Sequence, residues 1–209
     1  MLKDITSIDL KIFSLFVKDY AEHFSIRQIT KKLSINYSHA FKRIKFLVND
    51  KLLLERKEGQ VNHISLNIQN INTIQILCFV EEQESKKLKH STLSLLIKEI
   101  VKIDPFACFG LFGSRVSGKA TKNSDWDLFI ITQEKKLKQM NKVMTKFPHI
   151  TDIQLQVFSL EEFQESLLSA EETVVKHIVR NKQIIYNPHV FYNIITNWEM
   201  IKYVPTQTS

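Results

Sequence analysis

One segment of the chain, FGLFGSRVSGKATKNSDWDLFII, constrains the fold more than any other. An apolar run ends in Gly113-Ser114, ten residues follow, and a second apolar run opens with Asp125-Trp126-Asp127. Short apolar runs bounded by turn residues are typical of buried strands. The segment therefore predicts two neighbouring strands, with a glycine turn and two carboxylates meeting at their ends.

Each residue type in this segment suits contact with phosphate and metal. Gly113 lets the backbone approach a phosphate closely, and Ser114 adds a hydroxyl donor at the start of a helix, whose free amides attract anions. Side chains alternate along a strand, so Asp125 and Asp127 share one face and Trp126 points to the other. Two carboxylates on one face suit Mg²⁺, which prefers oxygen ligands. A surface turn with incidental acids would leave the Gly-Ser pair and the flanking strands unexplained.

The rest of this half alternates between strand and helix patterns. Strands are predicted at 106–112, 126–132 and 152–159, with helices at 134–146 and from residue 160. Pro105 ends a preceding helical region, 70–102, which is broken by the charged stretch ESKKLKH. A C-terminal helix has the apolar positions Phe191, Tyr192, Ile194, Ile195, Trp198 and Ile201. This alternation predicts an α+β domain, a small mixed sheet with flanking helices.

The first 68 residues show three short helices and a hairpin. A Ser25-x-x-Gln28 capping box begins the second helix. The third spans about 37–50, with Gly59 in the turn of the following hairpin. Its apolar stripe consists of Ala40, Phe41, Ile44, Leu47 and Val48. We expect domains at 1–68 and 91–209, with a helical connector at 69–90.

This N-terminal pattern resembles the winged helix-turn-helix of DNA-binding proteins, where the third helix enters the major groove and the wing contacts phosphate. Nine of the 29 Lys and Arg residues lie between Arg27 and Lys57, which suits a polyanion. A solvated basic face is the alternative reading. The expected DNA contacts are Ser38, His39, Lys42, Arg43, Lys45, Arg56 and Lys57.

The Gly-Ser and Asp-x-Asp pattern resembles the polymerase-β-like nucleotidyltransferase superfamily, in particular its minimal branch, over about residues 97–186. The resemblance implies that Gly113 and Ser114 hold a nucleoside triphosphate and that Asp125 and Asp127 are catalytic ligands of Mg²⁺ or Mn²⁺. ATP is the expected nucleotide. Further nucleotide contacts are expected from Arg115, Lys119 and Ser124, although Arg115 and Lys119 could equally be solvated loop charges.

Members of this superfamily usually have a third carboxylate on the next strand. In TDIQLQVFSLEEF that position is occupied by Gln154, whose neutral amide lacks the charge of a carboxylate. Asp152 lies on the same face and is the substitute candidate for a catalytic role, although it sits about 6 to 7 Å further along the strand.

Two functions are consistent with these residues. The first is transfer of a nucleoside monophosphate from a nucleoside triphosphate to a hydroxyl, coupled to DNA binding. The resemblance implies a version of this, in which an antitoxin modifies a tyrosine of a HEPN-type ribonuclease toxin. The second is a DNA-binding regulator whose impaired transferase domain senses nucleotide or binds a partner. Because winged helices often bind DNA as dimers, a homodimer is a further expectation.

Other classes are disfavoured. Cys78 and Cys108 show no metal-ligand spacing, so neither a disulfide framework nor a zinc site is expected. The N-terminus has acidic residues and lacks the apolar core of a signal peptide, and no apolar stretch is long enough to cross a membrane. A cytoplasmic location is the resulting expectation.

Overall fold

The computed structural model describes residues 4–88, 91–122 and 124–203, and divides the chain into two compact units, Met1–Glu81 and Glu82–Ser209. The predicted division at residues 68 and 90 stays a prediction. In the described part of the chain, no helix combines the length and the hydropathy that crossing a membrane requires.

The N-terminal unit consists of helices followed by a hairpin. Its elements are α1 (Ser7–Ser14), β1 (Phe24–Ser25), α2 (Ile26–Leu33), α3 (Tyr37–Asn49), β2 (Leu53–Glu58), β3 (Val61–Leu66) and the start of α4 (Ile71–Ser85). The three strands form an antiparallel sheet in the order β1-β3-β2. Glu58 pairs with Val61, so β2 and β3 are joined by a two-residue turn in which Gly59 has a φ of 61°. The predicted hairpin is confirmed.

Side-chain caps fix where the helices of this unit begin. The predicted capping box of α2 is confirmed, because the Ser25 amide donates to Gln28 Oε1 at 2.7 Å and the Gln28 amide donates to Ser25 Oγ at 3.2 Å. A second box, between Thr6 and Asp9, begins α1. These bonds satisfy amides that the first helical turn leaves without partners.

The apolar stripe of α3 is only partly as predicted. Ala40, Ile44 and Leu47 are fully buried, whereas Phe41 is 39% exposed. The prediction for Phe41 is wrong because its ring lies at the edge of the helical face, where it stacks on Tyr37 with centroids 6.1 Å apart. An aromatic pair of this kind remains accessible to a ligand.

The C-terminal unit is an α+β domain with a four-stranded mixed sheet. Its elements are α5 (Ser91–Ile103), β4 (Cys108–Phe112), α6 (Ser114–Ser117), β5 (Trp126–Thr132), α7 (Glu134–Met140), a 3-10 helix (Val143–Lys146), β6 (Ile153–Ser159), α8 (Leu160–Leu168), α9 (Val174–Arg180), β7 (Lys182–Tyr186) and α10 (Pro188–Tyr203). The strand order is β6-β5-β4-β7. β5 and β6 are parallel, and β4 is antiparallel to β5 and β7.

The three predicted strands are present, two of them with a changed start, β6 beginning at Ile153 instead of Asp152, and one further strand was missed. β4 begins at Cys108 rather than Phe106 because Asp104 holds the preceding turn, accepting a bond from the Phe106 amide at 3.0 Å. β7, at the edge beside β4, was not predicted from the sequence.

Helices cover both faces of the sheet. Leu96, Leu111 and Leu128 belong to the buried cluster between the sheet, α5 and α7. On the opposite face, Phe129 packs near Phe191 of α10, which in turn contacts Phe163 of α8. Of the predicted apolar positions in α10, the side chains of Trp198 and Ile201 lie outside the described residues. The acids at the start of β5 lie on the same face of the sheet as Phe129, towards the N-terminal end of the strand.

Candidate active site

The glycine turn after β4 lies directly against the second acid of β5. Phe112, the last residue of β4, pairs with Asp127 across the antiparallel ladder. Gly113 follows with a φ of 74°, and a Cβ placed on it would lie 2.2 Å from Asp127 Oδ2. A side chain at position 113 is therefore excluded twice, by backbone conformation and by the carboxylate. The structure brings these two predicted site residues into contact.

Asp127 is held by the first turn of α6. The Ser114 backbone amide donates a hydrogen bond to its carboxylate, which favours the charged form. Burial and the neighbouring charge of Asp125 outweigh this bond and the attraction of Arg115, and together they raise the pKa of Asp127 above its ordinary value. The carboxylate thus lies where added positive charge would stabilise it.

The two acids and Trp126 divide between the faces of the sheet. Trp126 packs against the buried cluster under α5 and α7. Asp125 and Asp127 lie on the other face and are both half-buried. This is the alternation that the sequence predicts for a strand.

Gln154 occupies the place beside the acids on the neighbouring strand. It is in register with Asp127 across the parallel β5–β6 pair, and paired residues of adjacent strands share a face. Its side-chain amide, Nε2, donates to Asp125 Oδ2 at 2.8 Å. The position counted from the sequence as that of a third carboxylate therefore carries a hydrogen-bond donor to the first acid.

Asp152 lies just before β6 and is exposed. Its carbonyl accepts a bond from the Trp126 amide at 2.7 Å. No hydrogen bond or ion pair joins its carboxylate to another of the described residues. The catalytic role predicted for it stays a prediction.

Arg115 and Ser124 hold the loop that leads into β5. Arg115 Nε donates to the Asp125 carbonyl at 3.2 Å, its guanidinium also donates to the Ser124 carbonyl, and it lies 4.1 Å from the centre of the Trp126 ring. Ser124 Oγ accepts from the Thr121 amide at 2.8 Å. Both predicted nucleotide contacts thus have partners within the loop.

Lys119 lies in the same loop with an exposed side chain. Its backbone amide donates to the Ser114 carbonyl at 3.0 Å. For its ammonium group, the described part of the chain provides no ion pair. Of the predicted cationic contacts in this loop, Lys119 is the one that remains available to a phosphate.

Asn181 is a residue that sequence reasoning missed. It follows α9, and its side-chain amide donates to the Gly113 carbonyl at 2.9 Å. The Ser117 amide donates to the same carbonyl at 3.1 Å. The glycine turn is therefore fixed from both sides. Only the placement of β7 beside β4 could have identified Asn181.

The donor set limits what the site can hold. Among the residues that the structure describes, no group of three or more His, Cys, Asp and Glu side chains is positioned to bind a metal ion. Asp125 and Asp127 offer two carboxylates, and Gln154 points a donor, not an acceptor, at Asp125. Mg²⁺ is commonly bound by one or two carboxylates together with substrate phosphates. The residues present fit a metal that arrives with a triphosphate.

The predicted DNA-contact residues fall into two groups. Ser38, His39 and Lys42 are exposed on α3, and Arg56 and Lys57 are exposed near the hairpin turn. Arg56 lies 3.6 Å from Glu58, with its own side chain 83% exposed. These residues remain accessible to a polyanion.

The other two have partners inside the unit. Arg43 forms an ion pair with the fully buried Asp9 at 2.5 Å and donates to the Asp4 carbonyl at 2.9 Å. Its pKa is raised, chiefly by the hydrogen bond to Asp9. Lys45 pairs with Glu55 at 2.6 Å. Any contact of these two with DNA would compete with bonds that link helices and strands.

Comparison with known proteins agrees with the geometry of the C-terminal unit. Residues 95–189 match the family model described as Polymerase beta, Nucleotidyltransferase. A search of curated proteins gives no match to the chain. This range of the chain is therefore similar to polymerase-β-like nucleotidyltransferases, and it includes the Gly-Ser turn, both acids and Gln154.

Proposed function

We propose that the chain transfers a nucleoside monophosphate from a nucleoside triphosphate, with ATP as the expected donor, to a hydroxyl acceptor. The observation that carries this proposal is the contact between Gly113 and Asp127, which places a turn without a side chain directly against a carboxylate. The family match at residues 95–189 supports the reaction class.

Each residue of the site has a defined task in this proposal. Gly113 lets the backbone of its turn approach the triphosphate closely, and the Ser114 hydroxyl donates to a phosphate oxygen. The Ser114 amide and the turn of α6 hold Asp127 in place. Asp125 and Asp127 would hold Mg²⁺ or Mn²⁺, which supplies charge neutralisation and alignment for in-line attack at the α-phosphorus. Lys119 is available to a phosphate oxygen.

The acceptor we propose is a protein tyrosine on a HEPN-type ribonuclease, which would make the chain an antitoxin. This step rests on the resemblance to the minimal branch of the superfamily. Its test is a labelling reaction with and without such a helical partner, in which label should appear on the partner and be lost when its acceptor tyrosine is changed to Phe.

We propose that the N-terminal unit binds DNA as a winged helix, with a homodimer as the expected binding form. The order α1-β1-α2-α3-β2-β3, with an antiparallel hairpin after the third helix, supports this assignment. The exposed Ser38, His39 and Lys42 would contact the groove, and Arg56 and Lys57 the phosphates.

A specific observation favours a second function. Because Gln154 donates to Asp125, one acid has a partner that does not require a metal ion. The alternative is thus a DNA-binding regulator whose transferase domain binds nucleotide without turnover.

The deciding experiment uses Mg²⁺ and α-labelled nucleoside triphosphates with the full chain. For the enzyme, we expect label transfer that is abolished in Asp127→Asn and kept in Glu161→Gln, a matched loss of one exposed charge on α8. Nucleotide binding without transfer to any acceptor would establish the regulator instead. Absence of nucleotide binding would refute the enzyme and favour a regulator whose transferase domain binds a partner.

DNA binding needs a variant that leaves the fold intact. Arg43→Ala would break the ion pair with Asp9, so Lys42→Gln is the better choice. Duplex binding should weaken steeply with salt, and loss of one phosphate contact should lower the slope of log K against log[salt] by about 1. Lys11→Gln on α1 is the control. Equal slopes for both variants would count against α3 as the contact.

A further inference from the structure

The basic charge of the C-terminal unit is concentrated on one side. Residues 82–209 contain 17 Lys and Arg against 14 Asp and Glu. Seven of those lysines belong to α5, α7 and the segment through the 3-10 helix, whereas only Glu99 and Glu134 are acidic there. We name this the lysine surface; its lysines are Lys98, Lys102, Lys135, Lys136, Lys138, Lys142 and Lys146.

The helices of the lysine surface form one continuous patch. Glu99 of α5 accepts bonds from Lys102 and from Lys146 of the 3-10 helix, each at 2.5 Å. These bonds lower the pKa of Glu99 to about 2. Glu99 therefore links α5 to the 3-10 helix, and its single negative charge faces two lysines, which leaves a net positive charge at their junction.

Three lysines form a stripe along α7 and its extension. Lys135 and Lys138 are three residues apart on one face of α7, Lys142 follows in the turn before the 3-10 helix, and all three are exposed. Met140, on the opposite face, is fully buried. None of the three lysines has a carboxylate partner within the ranges that the structure describes. Like charges at this spacing repel, so an anion along the stripe would be stabilising.

A shallow depression lies where α5 meets the 3-10 helix. It is lined by Leu95, Lys98, Glu99, Lys102, Lys146 and Phe147. Leu95 is 51% exposed on α5. Lysines at the rim of a concave surface concentrate positive potential within it.

We propose that the lysine surface binds the phosphate backbone of nucleic acid, separately from the N-terminal unit. Lysine is depleted in interfaces between proteins, whereas phosphate contacts by Lys and Arg dominate nucleic-acid binding. A single exposed leucine is a small apolar contribution, which disfavours a membrane surface. The partner that fits is a duplex read by charge and not by sequence.

The test uses the full chain carrying Lys42→Gln and Lys57→Gln, which weaken the DNA contact proposed for the N-terminal unit. The probe is a fluorescein-labelled random DNA duplex of about 30 base pairs, titrated by anisotropy between about 50 and 200 mM salt. We expect this background to retain binding. Adding Lys138→Gln and Lys142→Gln should lower the salt slope by about 2, since two phosphate contacts are lost.

The matched control removes two exposed lysines elsewhere, Lys11→Gln and Lys86→Gln, and should leave the slope unchanged. No binding by the background, or equal slopes in both pairs, would overturn the lysine surface while leaving DNA binding by α3 intact. Conversely, a lower slope after Lys138→Gln and Lys142→Gln, combined with no effect of Lys42→Gln, would refute the contact proposed for α3 and keep the lysine surface.

A competitor identifies the class of partner. DNA should displace the probe more effectively than polyglutamate at the same concentration of negative charge. Equal displacement would overturn the nucleic-acid assignment in favour of an acidic protein.

Discussion

Replacing Gln154 with Glu changes the charge of the candidate site with almost no change in size. The variant loses the donor to Asp125 and places a third carboxylate beside Asp125 and Asp127. The lost bond to a charged acceptor contributes about 1 kcal/mol, less than is usual for such a bond because Gln154 is exposed to solvent. Repulsion between unit charges about 4 Å apart in water adds about 1 kcal/mol. We expect a destabilisation of about 2 kcal/mol.

The assay is thermal unfolding with a chelator present. For a unit of this size, about 2 kcal/mol corresponds to a fall in Tm of about 6 °C. Gln156→Glu is the matched control, because Gln156 lies two residues along the same strand, is exposed, and is in register with Phe129 instead of an acid. It adds the same charge without touching Asp125, so its Tm should change much less.

Adding Mn²⁺ with a nucleoside triphosphate should reverse the order of stability. Three carboxylates around a divalent cation bind it more tightly than two, so Gln154→Glu should gain more Tm than the wild type. An equal fall in Tm for the two Glu variants under chelation would refute the reasoning about the hydrogen bond. A destabilised Gln154→Glu that metal and nucleotide do not rescue would refute the acids as a cation site.

Three further changes test separate contacts. Gly113→Ala should lower the free energy of unfolding by about 3 kcal/mol and abolish nucleotide binding. Gly118→Ala, at a similar φ with open space around it, should lower it by about 1 kcal/mol; urea unfolding and nucleotide titration measure the two effects. Arg43→Ala should lower the free energy of unfolding in urea by about 3 kcal/mol because it leaves the buried Asp9 carboxylate without its ion-pair partner, whereas Arg56→Ala should change it little. The pKa of Glu99 in the folded protein is about 2, against an ordinary 4.5, so its charged form stabilises the fold above pH 4.5 and this stabilisation is lost as the pH falls towards 2. In Glu99→Gln, the urea midpoint of unfolding should therefore depend less on pH between these values.

Local patterns were sufficient for much of the C-terminal fold and for the core of its site. Trp126–Thr132 was predicted with the bounds that the structure shows, since a buried apolar run between an Asp-x-Asp and a helix start leaves little choice. The proximity of Gly113 to Asp127 also followed from sequence, because consecutive antiparallel strands place the end of one beside the start of the next.

What sequence reasoning missed depends on contacts between distant residues. Asn181 reaches Gly113 only because β7 pairs with β4, and neither the pairing nor the strand has a strong local signal. Likewise, Arg43 lies on a basic helix face, yet it pairs with Asp9, which is 34 residues away. A charge pattern shows which residues are cationic but not which carboxylate reaches them first.

The two proposed functions differ in what stabilises the acids of β5. The glycine at position 113 does not distinguish the two functions, because the Asp127 side chain alone excludes a Cβ there, whether or not nucleotide is turned over. Burial and the charge of Asp125 destabilise the charged form of the Asp127 carboxylate and raise its pKa. A positive partner would stabilise that charged form. Gln154 compensates Asp125 but is not bonded to Asp127. The acid whose pKa stays raised despite the Ser114 amide and Arg115 is therefore the one against the glycine turn, which favours a site completed by metal and triphosphate together.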